Sequence, residues 1–366
     1  MKTTLLIIRW LVGLLFIFSG LVKANDPLGL SYKMQEFFEV WGLHGLNDYT
    51  LALSMIMNVF EIVAGVAVII GWQMRLFSWL LLLLIIFFTF LTGYALFSGK
   101  IKTCGCFGDC LPLTPAQSFT KDLILLVLIL VLFASKKKIH SALKPVVAVA
   151  LLLLVTISAT AGQLYVLKHL PFVDCLPYRK GNNILNEMKT PAGAIPDSVS
   201  IVFTYKKNGK QMEFDQMNFP ADFDSTYEFV DRKDKVVRKG NGLVPKILDF
   251  SLQAQSGDTT AAVLSQPGKY LMVFARDMDH VNEWSAGFTR IAEAAKKKNL
   301  PVLMVTSDAD RAILSFPYTT IVKCDATVVK TAARVVPTYF IMQGATVLAK
   351  TAYPDESKIL QEIAQN

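Results

Sequence analysis

Three of the five cysteines in the chain lie within seven residues, in the stretch TCGCFGDC that ends at Cys110. Cys104 and Cys106 form a C-x-C pair, and Cys106 and Cys110 form a C-x-x-x-C pair, so neither has the C-x-x-C spacing of a thioredoxin active site. A disulfide closed across one residue would be strained and easily reduced. The pair with wider spacing encloses Gly108, whose backbone freedom allows a more relaxed turn.

Three kinds of chemistry fit these candidate redox thiols. In thiol–disulfide exchange one cysteine attacks a substrate disulfide and another resolves the mixed disulfide; Lys100 and Lys102 would favour the thiolate, and Asp109 would oppose it. Three thiolates could instead hold a soft metal ion, but the four histidines are scattered, and we predict no metal site. The third reading is a disulfide that only pins the loop to a helix end. The sequence leaves exchange and pinning open.

Two cysteines lie elsewhere in the chain. Cys175, in an irregular stretch after the last long apolar run, is the candidate resolving partner for the loop. Cys324, in IVKCDATVV, is interpreted as a buried structural thiol. Because the count is odd, at least one cysteine must be free, bound to another group or paired with another chain.

Three polar residues interrupt the apolar runs. Glu61 is the one acid deep within such a run, Asn58 lies one helical turn before it, and Arg9 interrupts the first run. Ionisable groups within a membrane are costly and face a partner, a cavity or a bound group. Two hypotheses are open: Glu61 is a protonatable or ligand-facing group, or it pairs with Arg9 and holds two helices together.

The elements that must position these residues are five apolar runs, each near the ~20 residues that cross a bilayer. The chain is 53% hydrophobic and its mean hydropathy is +0.42, as in membrane proteins. The first run is predicted to be an uncleaved helix, because Arg9 interrupts it and no A-x-A site follows. The runs are Thr4–Val22, Leu51–Trp72, Leu76–Phe97, Phe119–Ala134 and Pro145–Leu167.

Basic residues predict the orientation of these helices. Lys136–Lys144, Gln73–Arg75 and Lys2 fall on one side of a five-helix count, which should be the cytoplasmic side. We therefore predict a multi-pass protein of a bacterial inner membrane, with a cytoplasmic N-terminus and a periplasmic C-terminal domain. All five cysteines then lie in a compartment where disulfides persist. The net charge of +8 does not indicate nucleic acid, because no patch interleaves aromatic and basic residues.

The connection after the first run contains the amphipathic stretch DPLGLSYKMQEFFEVWGL. Its apolar residues recur at helical spacing, with charged residues between them. We interpret it as a helix lying in the membrane interface, with Trp41 at the depth of the lipid headgroups.

Residues 168–247 are predicted to be an irregular linker with a small β-rich segment, in which Asn208-Gly209 marks a hairpin turn. From residue 248 a βαβ pattern is followed by ββα, which resembles thioredoxin-like domains of the TlpA kind. That resemblance implies a cis proline at Pro337. In that family C-x-x-C follows the first main strand, but this chain has RDMDHVNEW there, so the domain lacks the nucleophile for dithiol exchange.

The stretch RWLVGLLFIFSGLVKANDPLGL, the helix around Glu61 and CGCFGDCLPLTPAQSFTKDLILL together resemble DoxX/MauE-like membrane proteins, in the form with an added C-terminal domain found in Bacteroidetes. The resemblance covers residues 1–135 and implies a membrane α-helical bundle of four helices with the cysteine loop at its mouth. Residues 136–167 would add a basic cytoplasmic loop and a fifth transmembrane helix. The α/β thioredoxin-like extracytoplasmic domain would occupy residues 248–366.

The predicted function is a part in extracytoplasmic thiol–disulfide handling, or in maturation of envelope proteins, through the cysteine loop; whether the protein is an enzyme is left open. Its predicted partners are the lipid bilayer and an extracytoplasmic client or thioredoxin-like protein. No cofactor is evident: a quinone is compatible with this chemistry, but no residue pattern derives one. The alternatives are a non-enzymatic envelope scaffold or small-molecule binder with a structural loop, and a carrier that uses Glu61.

Overall fold

The computed structural model describes residues 2–101, 103, 105–196, 198–215, 218–221, 223–238 and 240–365. Within them, five helices are long and apolar enough to cross a membrane, one at each predicted run. These are α1, α3, α4, α5 and α6, and α2 is a shorter helix between the first two. The bounds are α1 (Lys2–Ala24), α2 (Pro27–Val40), α3 (Thr50–Ile70), α4 (Met74–Ser98), α5 (Pro115–Ala134) and α6 (Pro145–Lys168).

Helices α1 and α3 pack closely in opposite directions, because glycines line their contact. Gly13 lies against Gly65, and Gly20 lies against the backbone of Asn58, nearer the start of α3. A Cβ atom added to Gly65 would be 2.6 Å from the carbonyl oxygen of Gly13. Small residues of this kind let transmembrane helices approach until their backbones are in contact.

One end of the bundle carries Arg9 and the basic connection between α5 and α6. Arg9 donates hydrogen bonds to the carbonyl oxygens of Val68 and Ile69, and the backbone N–H of Ala142 donates to that of Ile70. The hypothetical pair between Arg9 and Glu61 is therefore wrong. Since α1 and α3 are antiparallel, a residue near the start of α1 meets the end of α3 and not its middle.

Helix α2 covers the other end of the bundle. Its apolar face turns inward: Phe37 is buried against Ala95 and Ile101, and its ring lies 5.5 Å from that of Trp41. An amphipathic pattern indicates an apolar face without distinguishing lipid from protein as its partner, and here part of that face packs on protein. The location of this helix in the membrane interface stays a prediction.

The C-terminal part is a seven-stranded mixed sheet in the order β10-β9-β6-β7-β8-β4-β5. Strands β6, β7 and β8 are parallel, while β9 runs antiparallel to β6 and forms a hairpin with β10. This is the order expected for a thioredoxin-like domain. The strands are β4 (Gln253–Ala254), β5 (Gly257–Asp258), β6 (Lys269–Phe274), β7 (Val302–Thr306), β8 (Thr320–Lys323), β9 (Thr338–Gln343) and β10 (Thr346–Ala352).

Helices cover both faces of this sheet. Trp284, Phe288 and Ile291 of α9 recur at helical spacing and are buried on one face together with α12. Strand β8 and helices α10 and α11 lie between the two halves of the predicted βαβ and ββα pattern and have no counterpart in it. The helices are α8 (Thr260–Leu264), α9 (Val281–Lys297), α10 (Ala309–Ser315), α11 (Ala326–Ala332) and α12 (Glu356–Ala364).

The chain between α6 and this domain is only partly a linker. Tyr178 and Ile184, the first residue of α7 (Ile184–Glu187), are buried in the core of the C-terminal sheet, and Gly181 donates to the carbonyl oxygen of Val347. Beyond them lies a separate antiparallel sheet in the order β2-β1-β3. Its strands are β1 (Ser198–Lys207), β2 (Lys210–Asp215) and β3 (Glu228–Arg238), with the predicted turn at Asn208-Gly209 between the first two.

Candidate functional site

A disulfide joins the cysteine loop to the chain that leaves the membrane. It links Cys110 to Cys175, whose Cα atoms are 4.8 Å apart. The loop turns tightly before it: Gly105 and Gly108 both have positive φ angles, and the N–H of the second donates to the carbonyl oxygen of the first. Glycine meets this backbone requirement without steric cost, so the turn brings Cys110 to the rim of the bundle.

An ion-pair cluster clamps the C-terminal domain onto this loop. The buried guanidinium of Arg334 donates to Asp109 at 2.8 Å and to Asp26 at 2.8 Å. Asp26 is also the N-cap of α2, so one arginine connects the loop, α2 and the C-terminal domain. Arg334 lies three residues before Pro337, and the Val336–Pro337 peptide bond is cis. The domain thus places its cis-proline end at the mouth of the bundle.

A second group of ion pairs connects the C-terminal domain to the chain segment that contains Cys175. Lys350, which is 3% exposed, donates to Asp174 at 2.7 Å, directly before Cys175. A few residues earlier His169 lies 2.8 Å from Asp355. The disulfide joins two segments of the chain, and the C-terminal domain makes a polar contact with each of them: Arg334 with Asp109 beside Cys110, and Lys350 with Asp174 beside Cys175.

Cys106 is a free thiol on the inner side of the loop, and among the described residues it has no disulfide partner. Ser19 of α1 donates to its carbonyl oxygen, and its thiol faces Ser118 and Lys121 of α5. Burial raises the pKa of the Cys106 thiol, and the nearby ammonium of Lys121 only partly offsets this effect. The thiol is therefore protonated near neutral pH.

Charged side chains lie buried beside this thiol in compensated pairs. Lys121 donates to Asp122 at 2.6 Å, and Thr92 of α4 donates to the same carboxylate at 3.0 Å. Lys23 at the end of α1 pairs with Glu61, and both are almost fully buried. Unpaired, any of these charges would be costly inside a membrane, so each pair lowers the cost of burying its members.

Asn58 takes no part in these ion pairs and instead forms a hydrogen bond with α6. Its amide donates to Gln163 of α6 at 3.0 Å, and that glutamine donates onward to the carbonyl oxygen of Met55. Asn58 thus ties the fifth transmembrane helix to α3. The three intramembrane polar residues predicted from the sequence, Arg9, Asn58 and Glu61, therefore take part in three separate interactions.

A cavity of about 210 Å³ lies between the loop and helices α1 to α5. Its wall is mostly apolar, and its polar groups include the Cys106 residue and three lysines. The residues that line it are Ser19, Lys23, Leu30, Lys33, Met34, Phe37, Phe38, Trp41, Leu53, Met57, Phe87, Phe88, Leu91, Thr92, Gly105, Cys106 and Lys121. In the described part of the chain, no group of three His, Cys, Asp or Glu side chains is placed to hold a metal ion.

The structure thus brings some of the predicted cysteines together and not others. Cys110 and Cys175 meet, while Cys106 lies in the same loop on the cavity side. Cys104 lies outside the described residues, as does Lys102. Cys324 is buried in the C-terminal core, where burial raises its pKa to about 11. The redox roles of the loop cysteines stay predictions.

Sequence reasoning missed the cations of this site. Lys23, Lys121 and Arg334 carry contacts that no local pattern indicated. The two lysines stand near the ends of apolar runs, where a lysine is usually a residue that extends to the membrane surface. The signal that could have found them is the acidic residue within reach of each, Glu61 and Asp122.

Comparisons with known proteins agree with this organisation. The family model of the methylamine utilisation protein MauE matches residues 1–135, and a domain of unknown function (DUF8463) matches residues 199–239. Protein TlpB of Flavobacterium psychrophilum is 31% identical over 137 residues, which is 34% of this chain and 35% of that protein. The match thus spans about a third of the length of that relative. No solved structure matches the chain. Residues 1–135 are therefore similar to the MauE membrane protein family, and a further transmembrane helix and an α/β domain follow them in this chain.

Proposed function

We propose that this protein carries out thiol–disulfide exchange outside the cytoplasm, with the Cys110–Cys175 bond as the exchanged disulfide. The observation that carries the proposal is a disulfide at the rim of the bundle with the free thiol of Cys106 four residues away in the same loop. A client thiolate attacks one sulfur and forms a mixed disulfide, which the second client thiol resolves. The client gains a disulfide, and Cys110 and Cys175 become two thiols.

The geometry of the bundle supports an extracytoplasmic site. The Arg9 end of α1, the turn after α3 and the basic connection 136–144 share one end, and the cysteine loop and C-terminal domain share the other. Basic connections are typical of the cytoplasmic side. This supports a location of the loop on the periplasmic face of a bacterial inner membrane.

The C-terminal domain would dock and not catalyse. The stretch after Phe274, where a thioredoxin would carry its cysteines, reads ARDMDHVNEW. What the domain contributes is the clamp of Arg334 on Asp109, next to the exchanged disulfide. It thereby holds the loop in place and offers a surface beside it for an envelope protein under maturation.

Thiol trapping in intact cells tests this function. Cys106, Cys110 and Cys175 are changed singly to Ser, with Cys324→Ser as the matched control, and cells are acid-quenched and blocked with an alkylating agent. We expect a mixed disulfide with another protein to accumulate in Cys110→Ser or Cys175→Ser but not in both. Wild-type behaviour in all variants, with a disulfide that never turns over, would refute the proposal.

The second candidate is a scaffold in which the disulfide is only a structural crosslink. The ion pairs on both strands of the disulfide favour it, because they already hold the same interface together. In that case Cys175→Ser should impair folding or stability of the protein and leave no trapped client.

A further inference from the structure

The cavity beside Cys106 has the lining of a site for an apolar molecule. Aromatic rings form much of its wall, and α2 closes it from the mouth of the bundle. Leu53 and Phe87 line it and are also 41% and 45% exposed on the surface of the bundle, so it lies next to the lipid-facing side. The aromatic residues are Phe37, Phe38, Trp41, Phe87 and Phe88.

The polar end of the cavity is electrically balanced. Three lysines line it, and each has a carboxylate partner: Lys23 with Glu61, Lys33 with Glu36 and Lys121 with Asp122. A carboxylate or phosphate head would therefore find no uncompensated cation. An ammonium group has three N–H donors, so a paired lysine can still donate to a neutral carbonyl oxygen. The site thus favours a neutral head with oxygen acceptors.

The same end of the cavity carries a thiol. Cys106 lines the cavity and lies four residues from Cys110. Each client disulfide made by the proposed exchange leaves two reduced thiols, and re-forming the disulfide requires an acceptor for two electrons. An acceptor that reaches this thiol from the lipid side must itself be soluble in lipid.

We infer that the cavity binds a lipid-soluble quinone, which reoxidises the cysteine loop through Cys106. This inference rests on the proposed exchange function and names its electron acceptor. An apolar ring with two neutral carbonyl oxygens matches the aromatic wall and the balanced polar end together.

The reaction balances in two steps. In the first, the thiols of Cys106 and Cys110 lose two electrons and two protons and form a disulfide, while the two carbonyl oxygens of the quinone become the hydroxyl groups of a quinol. In the second, the Cys175 thiolate attacks the sulfur of Cys110. The Cys110–Cys175 bond forms again, and Cys106 leaves as a thiolate that takes up the proton Cys175 lost.

Trp41 offers a direct reporter of binding. Full-length protein in lipid nanodiscs is titrated with duroquinone, whose fully substituted ring cannot add to thiols, while tryptophan fluorescence is followed. We expect saturable quenching that is lost in Trp41→Phe and kept in Trp79→Phe, a half-exposed residue of α4 outside the cavity. Quenching that does not saturate, or that is equal in the two variants, overturns the inference. So does displacement by an equal concentration of laurate, because a fatty acid would then be the better ligand.

Reoxidation is measured separately. Reduced protein is mixed with duroquinone without oxygen, and we expect one quinol per disulfide formed, at a rate at least tenfold lower in Cys106→Ser while the quenching persists. Quenching without loss of thiols in the wild type overturns the acceptor role. A third assay gives oxidised protein a dithiol peptide and no quinone. If the protein exchanges disulfides with the peptide but does not bind duroquinone, only the inference that a quinone is the electron acceptor is refuted. If it binds duroquinone but does not exchange, the proposed function is refuted, and the acceptor role with it.

Discussion

Arg334 and Asp109 lie 225 positions apart in the chain and form an ion pair of 2.8 Å, one residue before the disulfide-bonded Cys110. The guanidinium is almost completely buried, while the carboxylate is about half exposed. The C-terminal domain therefore controls the position of the cysteine loop through a contact that solvent can reach from one side.

Weakening this contact should expose the disulfide. Asp109→Asn removes the charge from one arm of the clamp and leaves the pair of Arg334 with Asp26. A partly exposed ion pair contributes about 1 kcal/mol, so we expect dithiothreitol to reduce the Cys110–Cys175 bond roughly fivefold faster. Asp279→Asn, which removes an exposed pair with Arg311 in the same domain, is the matched control. Equal reduction rates in the two variants would contradict the claim that the Arg334–Asp109 pair protects the disulfide.

The reactivity of Cys106 should depend on pH and on Lys121. Burial raises the pKa of this thiol above its ordinary value of 9.0, so its alkylation rate should increase about tenfold per pH unit below that value. Lys121→Met removes the ammonium that lowers the pKa, and at pH 8 the rate should fall. Lys100→Met removes an exposed lysine of the same loop and should leave it unchanged. Rates are measured by mass spectrometry with Cys104 and Cys324 changed to Ser; an unchanged or faster rate in Lys121→Met would argue against the assignment.

The pair of Lys23 with Glu61 should matter for stability. Lys23→Met leaves a fully buried carboxylate without its partner, which costs about 3–5 kcal/mol. The double variant with Glu61→Gln removes both charges and should recover most of the loss. Lys33→Met breaks a partly exposed pair and should cost less than about 1 kcal/mol. The free energy of unfolding is measured in detergent for each variant. Equal losses in Lys23→Met and Lys33→Met would mean that the buried pair contributes no more to stability than the partly exposed one.

The contact of α1 with α3 should not tolerate a methyl group. In Gly65→Ala the added carbon would meet the carbonyl oxygen of Gly13 at 2.6 Å, so the two helices must separate and the melting temperature should fall. Gly162→Ala in α6 is the control, because no atom lies within 4 Å of its added carbon. A fall of the same size in both variants would show that helix propensity, and not close packing, decides the effect.

Local patterns predicted most of the secondary structure. The apolar runs predicted the transmembrane helices. The start of α5 also has a local cause, because Thr114 and Gln117 form a capping box there. The Asn208-Gly209 turn and the hairpin after Pro337 were also predicted. Each of these features depends on residues that are close together in the chain, which is why the sequence was sufficient.

Contacts across the fold could not be predicted in this way. The partner of Glu61 is Lys23 because α1 and α3 run antiparallel. The sequence of neither helix alone determines the direction in which the two pack. The link from Arg334 to Asp26 joins residues 308 positions apart. The sequence did indicate that Cys175 could approach the loop, but it could not select Cys110 as the partner.

The short passage from α6 to the C-terminal domain limits how far that domain can travel. Lys168 ends the helix and Tyr178 is already packed in the core of the domain, so nine residues span the gap. Fully extended, they reach about 30 Å. Even with the disulfide reduced and the ion pairs broken, Cys175, seven residues after Lys168, stays within about 25 Å of the end of α6. The encounter of Cys175 with Cys110 is then intramolecular, with an effective concentration in the millimolar range. Re-formation of their disulfide therefore does not depend on the concentration of the protein in the membrane.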